Sequence, residues 1–190
     1  MKSVFYLGIL DDTNLSVSDK LVYCQILYRS LWDNSEETFD KQGYFAPENY
    51  SNGEVPIGIT VSSSIADSVN ISKRQYFASL NRLRDLEYII PGDAYTPDGY
   101  VVMSNCLTSE YFKLRTETGL TGLSLIVYSY IHFKSTKYKV VDKYHAAIAS
   151  ELRMSRSHLE QILTKLREGR HIIVKERKRQ RLLRPTHGTD

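Results

Sequence analysis

The feature that most constrains the fold is an internal repeat. "ISKRQYFASLNRLRDLEYII" runs from Ile71 to Ile90, and "MSRSHLEQILTKLREGRHII" runs from Met154 to Ile173, 83 residues further on. At that offset Ile65-Ala66 meets Ile148-Ala149 and Val69 meets Leu152. Ser72, Leu80, Leu83, Arg84, Ile89 and Ile90 meet Ser155, Leu163, Leu166, Arg167, Ile172 and Ile173. Charge type is kept in the pairs Lys73/Arg156, Arg82/Lys165 and Asp85/Glu168. A chain that repeats both its apolar positions and a helix-starting serine is expected to build one supersecondary unit twice.

The local signals give the order of elements. "VFYLGIL" reads as a strand or packed arm, and it is a poor signal peptide because it runs into Asp11-Asp12 without a small-residue cleavage site. Ser16 to Trp32 reads as a helix with Leu21, Cys24, Ile26, Leu27 and Leu31 as its apolar stripe and Ser16 or Ser18 as its cap. A long Gly-, Pro-, Asn- and acid-containing connection follows, with room for a short hairpin. "TVSSSIADSVN" is a short helix. Ser72 then caps a helix running to about Glu87, and "YII" and "YVVMSN" flank the turn-forming "PGDAYTPDG" as hairpin arms. The second half repeats the order with "LTGLSLIVYSYIHF", "YHAAIASELR", Ser155–Glu168, and the arms "HIIVKER" and "RQRLLR". The first helices, "LSVSDKLVY" and "LTGLSLIVY", align at a different offset, because the first unit has the longer connection. The boundary falls near Asn105–Thr108, giving units at 1–106 and 107–190.

Two helices joined by a tight turn and followed by a hairpin make a winged helix-turn-helix. The expected fold is therefore mainly α with small β-hairpins, in two tandem winged helix-turn-helix domains. The second helix of such a pair rests on its neighbours by one flank and leaves the other flank and its N-terminus for a DNA groove. At 100° per residue, Tyr76, Leu80 and Leu83 share one face in the first copy, and Arg74, Ala78 and Asn81 the other. In the second copy Leu159, Ile162, Leu163 and Leu166 face inward; Ser157, Gln161 and Thr164 face outward, with Arg156 and Lys165 at the edges. Gln bonds bidentately to adenine, Arg to guanine, and Ser or Thr to bases or phosphates. Ser72 and Ser155 open helix starts where a phosphate docks, and His158 beside one of them touches a phosphate when protonated.

The charge is unevenly spread. Residues 1–150 carry a net charge of −3, and residues 151–190, with 11 Lys/Arg and 5 Asp/Glu, carry +6. The second hairpin holds Lys175, Arg177, Lys178, Arg179, Arg181 and Arg184, a wing suited to a phosphate backbone or minor groove. The first carries Asp93 and Asp98 and no basic residue, which a phosphate backbone repels. The C-terminal unit is thus expected to supply most of the electrostatic affinity. The N-terminal unit either reads bases through Ser72, Lys73, Arg74, Gln75, Asn81 and Arg82 or packs against a partner.

The chain resembles the tandem winged-helix proteins of plasmid and phage replication, both initiators and replisome organisers. The resemblance rests on "GYFAPENYSNGEVPIGITVSSSIADSVNISKRQYFASLNRLRDLEYII", an aromatic-Pro element, a short helix, an Asn turn, Ser with basic residues and a leucine-spaced helix. "VVMSNCLTSEYFKL" followed by "LTGLSLIVYSYI" is similar to that family's junction into a second helical module. The resemblance implies binding to repeated origin sequences and recruitment of a helicase or its loader. Two features depart from it: the connection after Trp32 is unusually long, and the glycine common near the end of the second helix is Glu87 in the first copy, although Gly169 is present in the second.

Other chemistry has no motif to carry it. There is no phosphate-cradling G-x-x-x-x-G-K-[ST] loop, no H-E-x-x-H and no zinc-spaced cysteine pair, and "TGLTG" lacks the lysine. His132, His145, His158 and His171 recur every 13 residues but fall on different elements, so no metal site is expected. The expectation is a cytoplasmic protein, not an enzyme, with no cofactor and no membrane partner. Cys24 and Cys106 sit in apolar contexts and read as reduced thiols. The expected partner is double-stranded DNA with repeated or palindromic half-sites, beside replication proteins or a second copy of the chain. A transcriptional regulator and a winged-helix protein-interaction adaptor are the alternatives, and a plain all-α bundle is the unremarkable one.

Overall fold

The computed structural model describes residues 3–33, 53–57, 64–92, 99–102, 109–138, 145–177 and 180–185, with the backbone alone for 32–33, 136–138, 174–177 and 180–185. These residues are mainly helical with small antiparallel sheets. Strand β1 (Val4–Tyr6) passes through a 3-10 turn at Leu7–Asp11 into helix α1 (Val17–Asp33). Then come β2 (Glu54–Pro56), α2 (Ser64–Ser68), α3 (Lys73–Asp85), β3 (Ile89–Ile90) and β4 (Tyr100–Val102). The second half holds β5 (Tyr111–Lys113), a 3-10 turn at Thr116–Thr118, α4 (Gly122–Tyr138), α5 (His145–Glu151), α6 (Arg156–Glu168), β6 (Ile172–Arg177) and β7 (Gln180–Pro185). Among the described residues no helix is long and apolar enough to cross a membrane.

The repeat read from the letters is also a repeat of backbone geometry. Helices α3 and α6 are each 13 residues long and start 83 positions apart. The N–H of Ile71 donates to Ala66 O at 3.1 Å, and that of Met154 donates to Ala149 O at 2.9 Å, closing the same turn before each helix. After each helix, Tyr88 N donates to Leu83 O and His171 N to Leu166 O, both at 2.8 Å. The left-handed positions also coincide: Asn70 (φ 54°) with Arg153 (φ 51°), and Glu87 (φ 60°) with Arg170 (φ 58°). Tyr23 of α1 meets Tyr88 edge-on at 5.5 Å, and Tyr128 of α4 meets His171 edge-on at 6.0 Å.

Gly169, the glycine near the end of the second copy's helix, is not in the left-handed position; its φ is −72°, and Arg170 occupies that position. Gly169 is needed for space, since a Cβ there would lie 2.8 Å from His171 Cδ2. Gly99 is needed for conformation as well as space: its φ is +99°, and a Cβ would lie 2.1 Å from the Ile90 carbonyl oxygen.

The sheets are small. β4 lies between β2 and β3, with Val101 opposite both Val55 and Ile89. The β3–β4 hairpin was expected; the connection was given room for a short hairpin, but the pairing of its strand β2 with β4 was not expected. β2 ends in Pro56, which an edge strand tolerates because one side of it asks for no N–H donor. β6 and β7 pair over six residues, Ile172 opposite Pro185 through Arg177 opposite Gln180.

The two copies share a core. Residues Leu21 to Leu27 of α1 are all buried, as are Leu125 to His132 of α4. Each central helix is therefore covered on every side, a wider burial than a single apolar stripe predicts. α1 is covered by α2, α3, α4, β1, β2 and β4. The equivalent strands β1 and β5 pair antiparallel, with Phe5 directly opposite Phe112 and their rings 5.7 Å apart. Equivalent elements that meet antiparallel, with like residues opposite, carry the local signature of an approximate two-fold. The boundary expected near residues 105–108 lies outside the described residues. On either side of it the halves join through this strand pair, through α1 against α4, and through one continuous hydrophobic cluster.

Candidate nucleic-acid interface

The two 13-residue helices define the candidate surface. Tyr76, Leu80 and Leu83 of α3 are buried, and so are Leu159, Ile162, Leu163 and Leu166 of α6. The apolar flanks thus lie where the 3.6-residue period puts them. The opposite flanks are open: Lys73, Arg74, Ala78 and Asn81 on α3, and Ser157, His158, Gln161, Thr164 and Lys165 on α6, are exposed. Ser157, Gln161, Thr164 and Lys165, with Glu160 and Glu168, line a shallow open groove of about 460 Å³ along α6. Among the described residues the side chains of Lys73, Arg74, Asn81, Ser157, Gln161 and Lys165 make no internal hydrogen bond or ion pair, so their donors and acceptors face outward.

Other expected contacts have structural work to do. Ser72 Oγ accepts from Gln75 N at 3.2 Å, and Ser72 N donates to Gln75 Oε1 at 3.0 Å, a reciprocal capping box. Gln75 is thereby committed to the helix start. Ser155 Oγ accepts from His158 N at 3.2 Å, and with His158 in the place of Gln75 the cap is single. Arg82 reaches back to Asp19 Oδ2 at 3.3 Å. Asp19 is buried and also accepts from Ser16 N at 2.8 Å in the cap of α1, so Arg82 ties α3 to α1. Thr164 Oγ1 donates to the Glu160 carbonyl at 2.9 Å, leaving its methyl and lone pairs outward.

Two residues on these faces were not anticipated. Glu160 lies beside Gln161 in the α6 groove, and Arg156 Nε donates to its Oε1 at 2.9 Å, with His145 Nδ1 at 3.7 Å. The Arg156 hydrogen bond holds the Glu160 carboxyl below its ordinary range. Arg156 is therefore occupied in the free protein, and the acid is masked from an approaching anion. The signal was present as an (i, i+4) Arg–Glu pair. Phe77 is the other. It stands on the open side of α3 and is 52% exposed, a residue that departs from the Tyr76–Leu80–Leu83 stripe by following Tyr76 directly.

The basic β6–β7 hairpin is placed by its backbone. Lys175 and Arg177 lie on β6 and Arg181 on β7, with Lys175 opposite Leu182 and Glu176 opposite Arg181. Lys178 and Arg179 lie outside the described residues, as do Asp93 and Asp98 of the first hairpin. Of the four evenly spaced histidines, His132 is buried in α4 with Arg115 Nη2 2.8 Å from Nε2, His145 opens α5, His158 is exposed on α6 and His171 packs on Tyr128. Among the described residues no three His, Cys, Asp or Glu side chains are grouped as a metal site. Comparison with family models, with curated proteins and with solved structures found no match.

Proposed function

We propose that the chain binds double-stranded DNA non-covalently through two winged helix-turn-helix units, and that it serves replication initiation of a plasmid, phage or other mobile element. One observation carries the DNA reading. The same serine-capped 13-residue helix occurs twice, each copy burying its apolar flank and leaving an open flank rich in groups that bond bases and phosphates. In this reading α3 and α6 enter major grooves. Lys73, Arg74 and Asn81 contact the first half-site, and Ser157, Gln161, Thr164 and Lys165 the second. The β6–β7 wing grips the adjacent backbone. The antiparallel pairing of the equivalent strands β1 and β5 favours half-sites in inverted orientation, about 10 base pairs apart. The replication setting follows from the resemblance noted above, and mapping the preferred site tests it. Iterated sites beside an AT-rich region support replication, whereas a single promoter operator indicates a regulator.

The test of DNA binding is quantitative. Replacing Arg177, Lys178 and Arg179 by Ala is expected to weaken binding to every sequence and to flatten the plot of log K against log salt by about 0.9 per lost phosphate contact. Gln161→Ala is expected to relax preference at one base position, at about 1–3 kcal/mol. Absence of any duplex binding at low salt would sink the proposal in favour of a protein-interaction adaptor.

A further inference from the structure

We infer that Phe77 is a specificity residue that reads thymine methyl groups in the half-site contacted by α3, and that the two half-sites therefore differ in sequence. The inference rests on the DNA-binding reading above. Phe77 lies on the open side of α3, one turn from Lys73 and Arg74 on one side and from Asn81 on the other. Its ring is held edge-on against the buried Tyr76, with centroids 5.1 Å apart and planes at 62°. An exposed apolar ring on a flank of cations and an amide has a specific complement in a major groove. That complement is the C5-methyl of thymine, with phosphates for the cations and the thymine's paired adenine for Asn81.

The second copy cannot read the same feature. The residue 83 positions on from Phe77 is Glu160, whose carboxylate faces the groove and is held by Arg156 at 2.9 Å. Arg74 and Ala78 likewise give way to Ser157 and Gln161. The two faces share a backbone frame and differ in chemistry, so only the first adds methyl readout to its hydrogen bonds. An exposed phenylalanine is also a residue type found in protein contacts, and the experiment below separates the two.

The probe is the tightest duplex selected by the whole chain from a randomised library, with each thymine replaced in turn by deoxyuridine. This removes one methyl and leaves base pairing unchanged. One or two substitutions within a single half-site are expected to weaken binding about fourfold each, the value for exposing one methyl. With Phe77→Ala those positions become insensitive, while Phe77→Leu retains part of the effect. Because Phe77 is half-exposed, neither substitution is expected to disturb folding, and a thermal melt of each variant checks this. Tight duplex binding with no sensitive thymine, or with the same sensitivities in Phe77→Ala, overturns this inference and leaves the DNA reading intact. Failure to bind any duplex overturns both.

Discussion

The left-handed residues that close each unit offer a stringent prediction, because they reverse the ordinary effect of glycine. Glu87 and Arg170 hold φ near +60° just after α3 and α6. For an L-residue with a Cβ that region costs about 1–2 kcal/mol. Glycine removes the strain, but its freer unfolded chain returns about 0.5–1 kcal/mol of it. Glu87→Gly and Arg170→Gly should therefore each stabilise the protein by about 0.5 kcal/mol. The backbone bonds Glu87 N to Arg84 O and Arg170 N to Arg167 O need no side chain and are retained. As a control, Ala78→Gly inside exposed α3 should cost about 1 kcal/mol. Urea unfolding midpoints at constant m-value provide the assay. Gly169→Ala completes the set: its methyl meets the His171 ring at 2.8 Å and should loosen that ring from Tyr128, costing on the order of 1 kcal/mol. If the three glycine variants all lose stability alike, the positive-φ closure of the repeated unit is refuted.

Two further predictions concern polar contacts inside each copy. Burial, and then the hydrogen bond it donates to Asp12, push the Tyr88 hydroxyl from 10.0 up to about 12. The folded value lies above the unfolded one, so this stabilisation is complete below pH 10 and is lost as pH rises through about 12. Stability measured from pH 9 upward should fall in that window, and Tyr88→Phe should remove this component. Lys134 is buried between the Tyr130 and Phe133 rings, with Glu110 at 2.5 Å and Glu151 at 3.8 Å. Lys134→Met leaves both acids without that cation. Because their side chains are 35% and 32% exposed, solvent screens part of the loss, and chemical denaturation should read about 1–3 kcal/mol.

The repeat was legible because it is written in contacts that recur at a fixed spacing. Tyr76, Leu80 and Leu83 and their counterparts are buried as their period requires, and the serine caps lie at the expected residues. What escaped reading belongs to tertiary context. Nothing local marks Val22, Tyr23 and Gln25 as buried alongside the stripe of α1; other elements close its remaining sides, β1 by accepting from Gln25 at the Val4 carbonyl and β4 by accepting from Tyr23 at the Val102 carbonyl. The place of β2 and its pairing with β4 escaped because three residues inside a Gly- and Pro-containing connection give too short an alternation to register. The outward faces were only partly legible. Periodicity says which way a residue points, but not that Gln75 is spent on a cap, that Arg82 is drawn to Asp19 or that Arg156 is drawn to Glu160.

Hydroxyl-radical footprinting of the whole chain on its selected duplex tests the central claim most directly. The account predicts two protected backbone patches about one helical turn apart on one face of the duplex. Protection at the α6 patch should weaken when Arg177, Lys178 and Arg179 are replaced by Ala, and the α3 patch should persist. A single patch unaffected by substitutions on either helix, or no protection at 50 mM salt or below, about the level where phosphate contacts are strong, would contradict it.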